Sequence, residues 1–181
     1  MSTTNNNSYY QECKKCPYFG QSHLSNNENV VRSFIPVKLE DNKSNILLVF
    51  QAPGINEWRT GLTIQPTRVI GGSAGVRILN SWKRKGKVRA NFNIVEAVRC
   101  YPGKNTDGRD EKPTKKAIEC CSKILEREIK SRKYNEIIVF GTPAKNSIKS
   151  TSMYNSIKNN IKYIEHPNSS KCSNSKLDSM W

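Results

Sequence analysis

Six cysteines and two histidines are spread through this chain of 181 residues, and the spacing of four of the cysteines could hold a metal. Cys13 and Cys16 form a C-x-x-C pair, while Cys100 and Cys121 are distant singles. Four thiolates suit either an iron–sulfur cluster or zinc. A set split in this way would tie the N-terminal segment to the middle of the fold. The alternative is a group of unrelated buried thiols. Cys120 adjoins Cys121 and competes with it for the fourth place, and Cys172 has no assigned role. Two further groups could move protons. Glu96 is a lone acid in the otherwise apolar run from Phe92 to Val98. A carboxylate there is costly unless it is paired, so it either forms an ion pair with Arg99 or another cation, or meets a ligand. His166 stands beside Pro167 in the run Glu165-His166-Pro167-Asn168.

The elements that would carry these residues are legible from periodicity. Ile46–Phe50 is a continuous apolar run that stops at Ala52-Pro53-Gly54, as a buried parallel strand ending in a tight loop does. Residues 92–98 and 136–140 read as two more buried strands, and residues 162–164 as a short last one. Helical spacing is expected over residues 74–85, 114–130 and 144–150, with 55–75 a long loop. Strands alternating with helices predict a three-layer α/β/α fold with a mainly parallel central sheet. In such folds ligands bind beyond the carboxyl ends of the strands, so the loops QAPG, CYPG and EHPN should converge on one site. Residues 1–12 are expected to be a flexible N-terminus, 13–171 one domain and 172–181 a flexible tail.

Lysine and arginine total 30 against 15 acids, a net charge of +15. An excess this large implies a polyanionic partner, nucleic acid first and an anionic membrane surface second. The polar start MSTTNNNSYY lacks the apolar stretch of a secretory signal, and no run approaches the ~20 residues of a membrane span. A cytoplasmic protein is expected, where thiols stay reduced and cysteines serve metals or catalysis rather than disulfides. A monomer is expected.

The ordered set C-x-x-C, ILLVFQAPGINEW, RTG, GSAG, VRCYPG, a downstream cysteine helix, IIVFGTPA and EHPNSS resembles the uracil-DNA glycosylase superfamily over about residues 13 to 170. It is most similar to the family 4 branch, which carries a [4Fe-4S] cluster. The resemblance implies Cys13, Cys16, Cys100 and Cys121 as cluster ligands. It implies that Gln51, Ala52, Pro53 and Gly54 form the loop beside the scissile sugar–base bond. Gln51 stands where the family usually has an acid, so Glu57 becomes the candidate carboxylate, or else caps the loop. His166 matches the family's catalytic histidine, which donates to the base as negative charge flows onto it. The following Asn168, Ser169, Ser170 and Lys171 contain no large apolar wedge. Ser169 and Lys171, with the basic run Lys83-Arg84-Lys85, are candidate DNA contacts.

Two pocket positions depart from the family pattern. Glu96 occupies the place of the amide that reads uracil, four residues before Cys100. Ionised, it offers only acceptors, which suits the amino group of cytosine better than the O4 of uracil. Ile70 and its glycine neighbours stand where the family has a stacking phenylalanine, leaving room for a bulkier base. The expectation is therefore a monofunctional DNA glycosylase that flips out a modified, bulky cytosine-type base and leaves an abasic site. Such bases occur in some phage genomes, which would make this an antiphage enzyme acting on double- or single-stranded DNA. Uracil removal in base-excision repair and a DNA-binding module without chemistry are the alternatives.

Overall fold

The structure is a computed structural model that describes residues 11–19, 36–65 and 73–181. Four strands, β1 (Ile46–Phe50), β2 (Asn93–Glu96), β3 (Glu136–Phe140) and β4 (Ile161–Ile164), form one sheet in the order β2-β1-β3-β4. All three pairings are parallel. The six α-helices among the described residues are α1 (Ile55–Thr60), α2 (Ala74–Arg84), α3 (Lys115–Lys130), α4 (Gly141–Lys149), α5 (Tyr154–Ile157) and α6 (Asn174–Asp178).

Strand alternation divides the core into two layers. Leu48, Phe50, Ile94, Ile138, Phe140 and Ile164 face Ile78 and Trp82 of α2 and Leu177 of α6. Leu47, Val49, Val95, Ile137 and Val139 face Leu125 and Ile129 of α3 and Ala144 and Ile148 of α4. Successive residues point to opposite faces of a sheet, so apolar runs of five need helices on both sides. The expected three-layer α/β/α architecture is the one observed. A third cluster gathers Cys16, Tyr18, Trp58, Val98, Cys100, Tyr101, Ile118, Cys120 and Cys121, with Ala52 and Ile55 against it. The Tyr18 hydroxyl accepts from the Thr114 amide at 2.8 Å, at the start of α3, which helps pin the N-terminal segment there.

The strand order creates the place for a site. From β1 the chain moves outward to β2, and from β3 it moves the other way to β4. The crevice between the ends of β1 and β3 is thus a topological switch point, where ligands bind in open α/β sheets.

Several boundaries differ from expectation. Residues 55–60 are helical rather than loop, with Gly61 ending the turn at φ 75°. Strand β2 stops at Glu96, although the Ala97 and Val98 amides still donate to the Phe50 and Gln51 carbonyls. Helix α4 starts at Gly141 with no intervening loop. Residues 172–181, expected to be a flexible tail, carry α6 and pack down. Leu177 is fully buried, and the Trp181 ring lies 5.3 Å from Phe92 and 5.9 Å from Trp82, centre to centre. Polar composition hid the Leu177, Met180 and Trp181 spacing that seals the α2 face. Residues 1–10 lie outside the described residues, as do His23 and Ile70. No helix among the described residues is long and apolar enough to cross a membrane.

Candidate active site

Register puts the chemistry in one row. Phe50 pairs with Glu96 across β1 and β2, and Phe140 with Ile164 across β3 and β4. The Phe50 and Phe140 rings stack at 4.4 Å on the α2 side of the sheet. Gln51, Gly141 and His166 come one or two residues later, at the strand ends. Gly141 has φ 83°, and a Cβ there would fall 3.3 Å from the His166 Cβ and 3.6 Å from Gln51 Oε1. A glycine is required both for that backbone and for the close approach of the two side chains.

A cavity of about 130 Å³ opens beside this row, lined in part by Phe50, Gly54, Glu57, Ile64, Glu96 and His166. Ser73, Ala74 and Gly75, the small residues that open α2, form another part of its wall, with Asn168. Glu96 points here because it shares a face with Ile94 two residues earlier. It is 3% exposed and its Oε2 has no hydrogen-bond partner. Burial, and then the Glu57 carboxylate, push its pKa well above the usual carboxylate range, which favours its protonated form. The alternative reading, an ion pair of Glu96 with Arg99, is not what the structure shows. Arg99 donates instead to Glu128 Oε1 at 2.9 Å, on the other side of the sheet end. Against the expectation of an ionised, acceptor-only Glu96, this environment favours the protonated acid, and none of the described residues lining the cavity is a lysine or arginine.

Glu57 is fixed by the Gln65 amide, which donates to its Oε1 at 2.8 Å. Its Oε2 and Asp110 Oδ2 each lie 2.9 Å from where a Cβ on Gly54 would be. The Tyr101 hydroxyl donates to Asp110 Oδ1 at 2.9 Å. Two carboxylates therefore converge over the glycine of the QAPG loop. Sequence reasoning missed Asp110, because the loop after Cys100 holds several acids that look interchangeable. Ile64 closes the cavity with φ 56°, a conformation rare for a β-branched residue. Arg89 holds it, donating to the Ile64 carbonyl at 3.2 Å while pairing with Glu40.

His166 borders both this cavity and a second, larger pocket of about 540 Å³. Its Nδ1 accepts from the Asn168 amide at 3.3 Å, which leaves the ring proton on Nε2. Burial lowers its pKa to about 4, so the ring is neutral at pH 7 and acts as an N–H donor. Arg77 of α2 donates to the Pro167 and Cys172 carbonyls and so clamps the loop that carries the histidine.

The larger pocket is lined by Gln51, Gly141, His166 and Ser169 and by three lysines, Lys112, Lys145 and Lys171. Gln51 thus faces the basic pocket, whereas Ala52 and Gly54 face the smaller one; Pro53 is buried and lines neither. Lys83, Arg84 and Lys85 are not brought to either pocket. They end α2, whose first residues line the cavity, and Arg84 is held by Asp178 at 2.8 Å. Basic composition could not say which lysines lie at the strand ends.

The cysteines do come together. Cys16, Cys100, Cys120 and Cys121 share one buried cluster, and Cys13 is buried beside them. Cys121 donates to Cys16, lowering the pKa of Cys16 and raising its own. Cys100 acts electrostatically on Cys121, and Cys120 on Cys13. A shared buried thiol set has the right donor chemistry for a soft metal centre. Among the described residues, no three such side chains stand close enough as placed to hold a metal ion.

No curated protein matches the chain. A family model described as "Uracil DNA glycosylase superfamily" matches residues 37–179. That span includes the sheet, both pockets, Glu57, Glu96 and His166, and excludes only Cys13 and Cys16 among the residues discussed as a site. The chain belongs to the uracil DNA glycosylase superfamily, whose members act on DNA.

Proposed function

We propose that this protein is a monofunctional DNA glycosylase of the iron–sulfur (family 4) kind that releases a modified, bulky cytosine-type base, as found in phage DNA. The observation that carries the reading is Glu96, buried at the end of β2 with an unpartnered oxygen lining the cavity. A neutral carboxyl offers one O–H donor and one C=O acceptor. Cytosine N3 accepts from the hydroxyl while the N4 amino group donates to the other oxygen. Uracil can also be paired, through N3–H and O4, so the carboxyl alone does not exclude it. Cytosine is favoured because its basic N3 can draw the acid proton, making the contact charge-assisted and about twice as strong. Ser73, Ala74 and Gly75 leave that wall without bulk, which suits a substituent on the ring.

In this reading the flipped nucleotide enters from the basic pocket, where Lys112, Lys145, Lys171 and Ser169 meet phosphate. Glu57 supplies negative charge to the oxocarbenium-like sugar and receives the proton of the attacking water. His166 Nε2–H stabilises charge arriving at the base O2. No lysine is among the described residues lining the smaller cavity, which favours hydrolysis over a Schiff-base route. Cys13, Cys16, Cys100 and Cys121 would hold a [4Fe-4S] cluster, behind Ala52 and Ile55 of the strand-end loop. The group would act as a brace rather than a reactant. Broad visible absorbance of the purified protein, lost in Cys100→Ser, supports the cluster; a colourless zinc protein refutes it.

The deciding experiment is base release, read by mass spectrometry, from duplex and single-stranded DNAs carrying different bases. Release of glucosylated hydroxymethylcytosine is expected. Activity on uracil DNA with none on that substrate would establish the repair reading instead. Release of no base from any DNA would leave a DNA-binding module.

A further inference from the structure

A cytosine-type base is a poor leaving group. Breaking the C1′–N1 bond puts an electron pair on a ring with one carbonyl to share it. Uracil spreads the same charge over two. Hydrogen bonding from His166 helps at O2, but a neutral imidazole N–H is far too weak an acid to surrender its proton. The site therefore needs a true acid near N3, and the fold supplies one.

We propose that Glu96 is the general acid of this reaction, passing its proton to N3 of the flipped base as the C1′–N1 bond breaks. This rests on the cytosine-type reading above and extends it, since Glu96 then does more than read the base. The geometry is that of a buried carboxyl whose Oε2 has no protein partner and which lines the cavity. Among the described residues, two titratable groups share that cavity, Glu57 from α1 and His166 from the loop after β4; the N-terminus of α2 and Asn168 also line it. Neither is a cation at pH 7. Burial and the adjacent Glu57 both favour the protonated form of Glu96. Glu57 and Glu96 thus place two carboxyls in different environments on one cavity, the arrangement acid–base catalysis requires.

The step balances without another reactant. The Glu96 O–H breaks and N3–H forms; the C1′–N1 electron pair goes to the ring, and the base departs as a neutral molecule. Water oxygen bonds to C1′, and the water proton goes to Glu57. Exchange with solvent then returns one proton to Glu96 and removes one from Glu57.

Glu96→Gln separates reading from acid catalysis, because the amide keeps one donor and one acceptor but has no proton to give. The test is single-turnover release of glucosylated hydroxymethylcytosine from DNA, beside binding of the uncleavable 2′-fluoro analogue. General acid catalysis contributes about 10²–10⁴-fold. Glu96→Gln should therefore lose at least about 10²-fold in rate, while binding weakens by no more than about tenfold, the loss of charge assistance in one hydrogen bond. The native rate should fall at high pH as Glu96 ionises, and that limb should be absent from the residual rate of the variant. A variant that keeps the rate, or that loses rate and binding in equal measure, overturns the acid role. A native protein that releases no cytosine-type base overturns the base assignment and this inference together, before any variant is compared. A cooperative urea transition with a midpoint no lower than native shows that Glu96→Gln is folded.

Discussion

Two residues of the site, buried Glu96 and half-buried His166, pull stability in opposite directions with pH. His166 has its pKa lowered from 6.5 to about 4 by burial. Between those values the unfolded chain binds the proton and the folded one does not. Stability therefore rises with pH across this window, and is lost as pH falls through it. Its full size is about 3 kcal/mol. Glu96 does the reverse. Its folded pKa is raised above 4.5, so the folded protein binds the extra proton and stability declines as pH rises above that value. The native profile should be flattened where the windows overlap. His166→Gln should remove the rise, leaving a protein whose urea midpoint only falls from about pH 5 upward. Glu96→Gln should remove the fall and be more stable than native at about pH 8. Urea titrations across the range check both. Catalysis separates them differently: His166→Ala removes a donor to the developing charge and should cost about 10²–10³-fold in single-turnover rate. That these two residues stand at strand ends was legible in the sequence, one as a lone acid in an apolar strand and the other as a histidine just past one. The protonation state of Glu96 was not. It depends on where Arg99 goes, and Arg99 reaches Glu128 of α3 across 29 positions of sequence.

At the scale of elements, that Arg99–Glu128 pair joins the segment after β2 to α3. Arg99 is 2% exposed, so removing its partner leaves a buried charge poorly matched. Glu128→Ala should destabilise the fold by about 3 kcal/mol, read from the urea midpoint, while a surface pair such as Lys116–Glu119 should contribute less than about 1 kcal/mol. The C-terminal helix offers a second test. The Trp181 indole N–H donates to Ser81 Oγ at 2.7 Å, and its ring meets Trp82, Phe92 and Phe140. Trp181→Ala should therefore cost about 3 kcal/mol and loosen α2, whose first residues wall the cavity. Strands and long helices were readable because buried parallel strands are continuous apolar runs and α3 repeats at helical spacing. Short elements were not. Helix α1 is six residues, too short for periodicity to register, and it forms because Trp58 buries against the cysteine cluster. The tail reads as polar until its leucine and tryptophan are seen to close one face of the sheet.

For the whole molecule, a net charge of +15 implies a polyanionic partner but not where it would lie. The sheet topology supplies the direction. Strand ends, switch point and both pockets share one edge, and Lys112, Lys145 and Lys171 surround the larger pocket there. The run from Lys83 to Arg89 leads instead into the start of β2, at the opposite edge of the sheet. Charge on that edge raises encounter with any polyanion but cannot touch a strand threaded through the site. Each phosphate neutralised contributes about −0.9 to the slope of log K against log salt. Replacing Lys112, Lys145 and Lys171 together by alanine should flatten the slope for duplex DNA by about 2 to 3 and weaken binding most at low salt. Replacing Lys83 and Lys85 should leave the slope within about 0.5 of native. Fluorescence anisotropy over a salt series measures both. Equal effects of the two sets would mean that DNA wraps around the molecule rather than lying along the edge where His166, Glu57 and Glu96 meet.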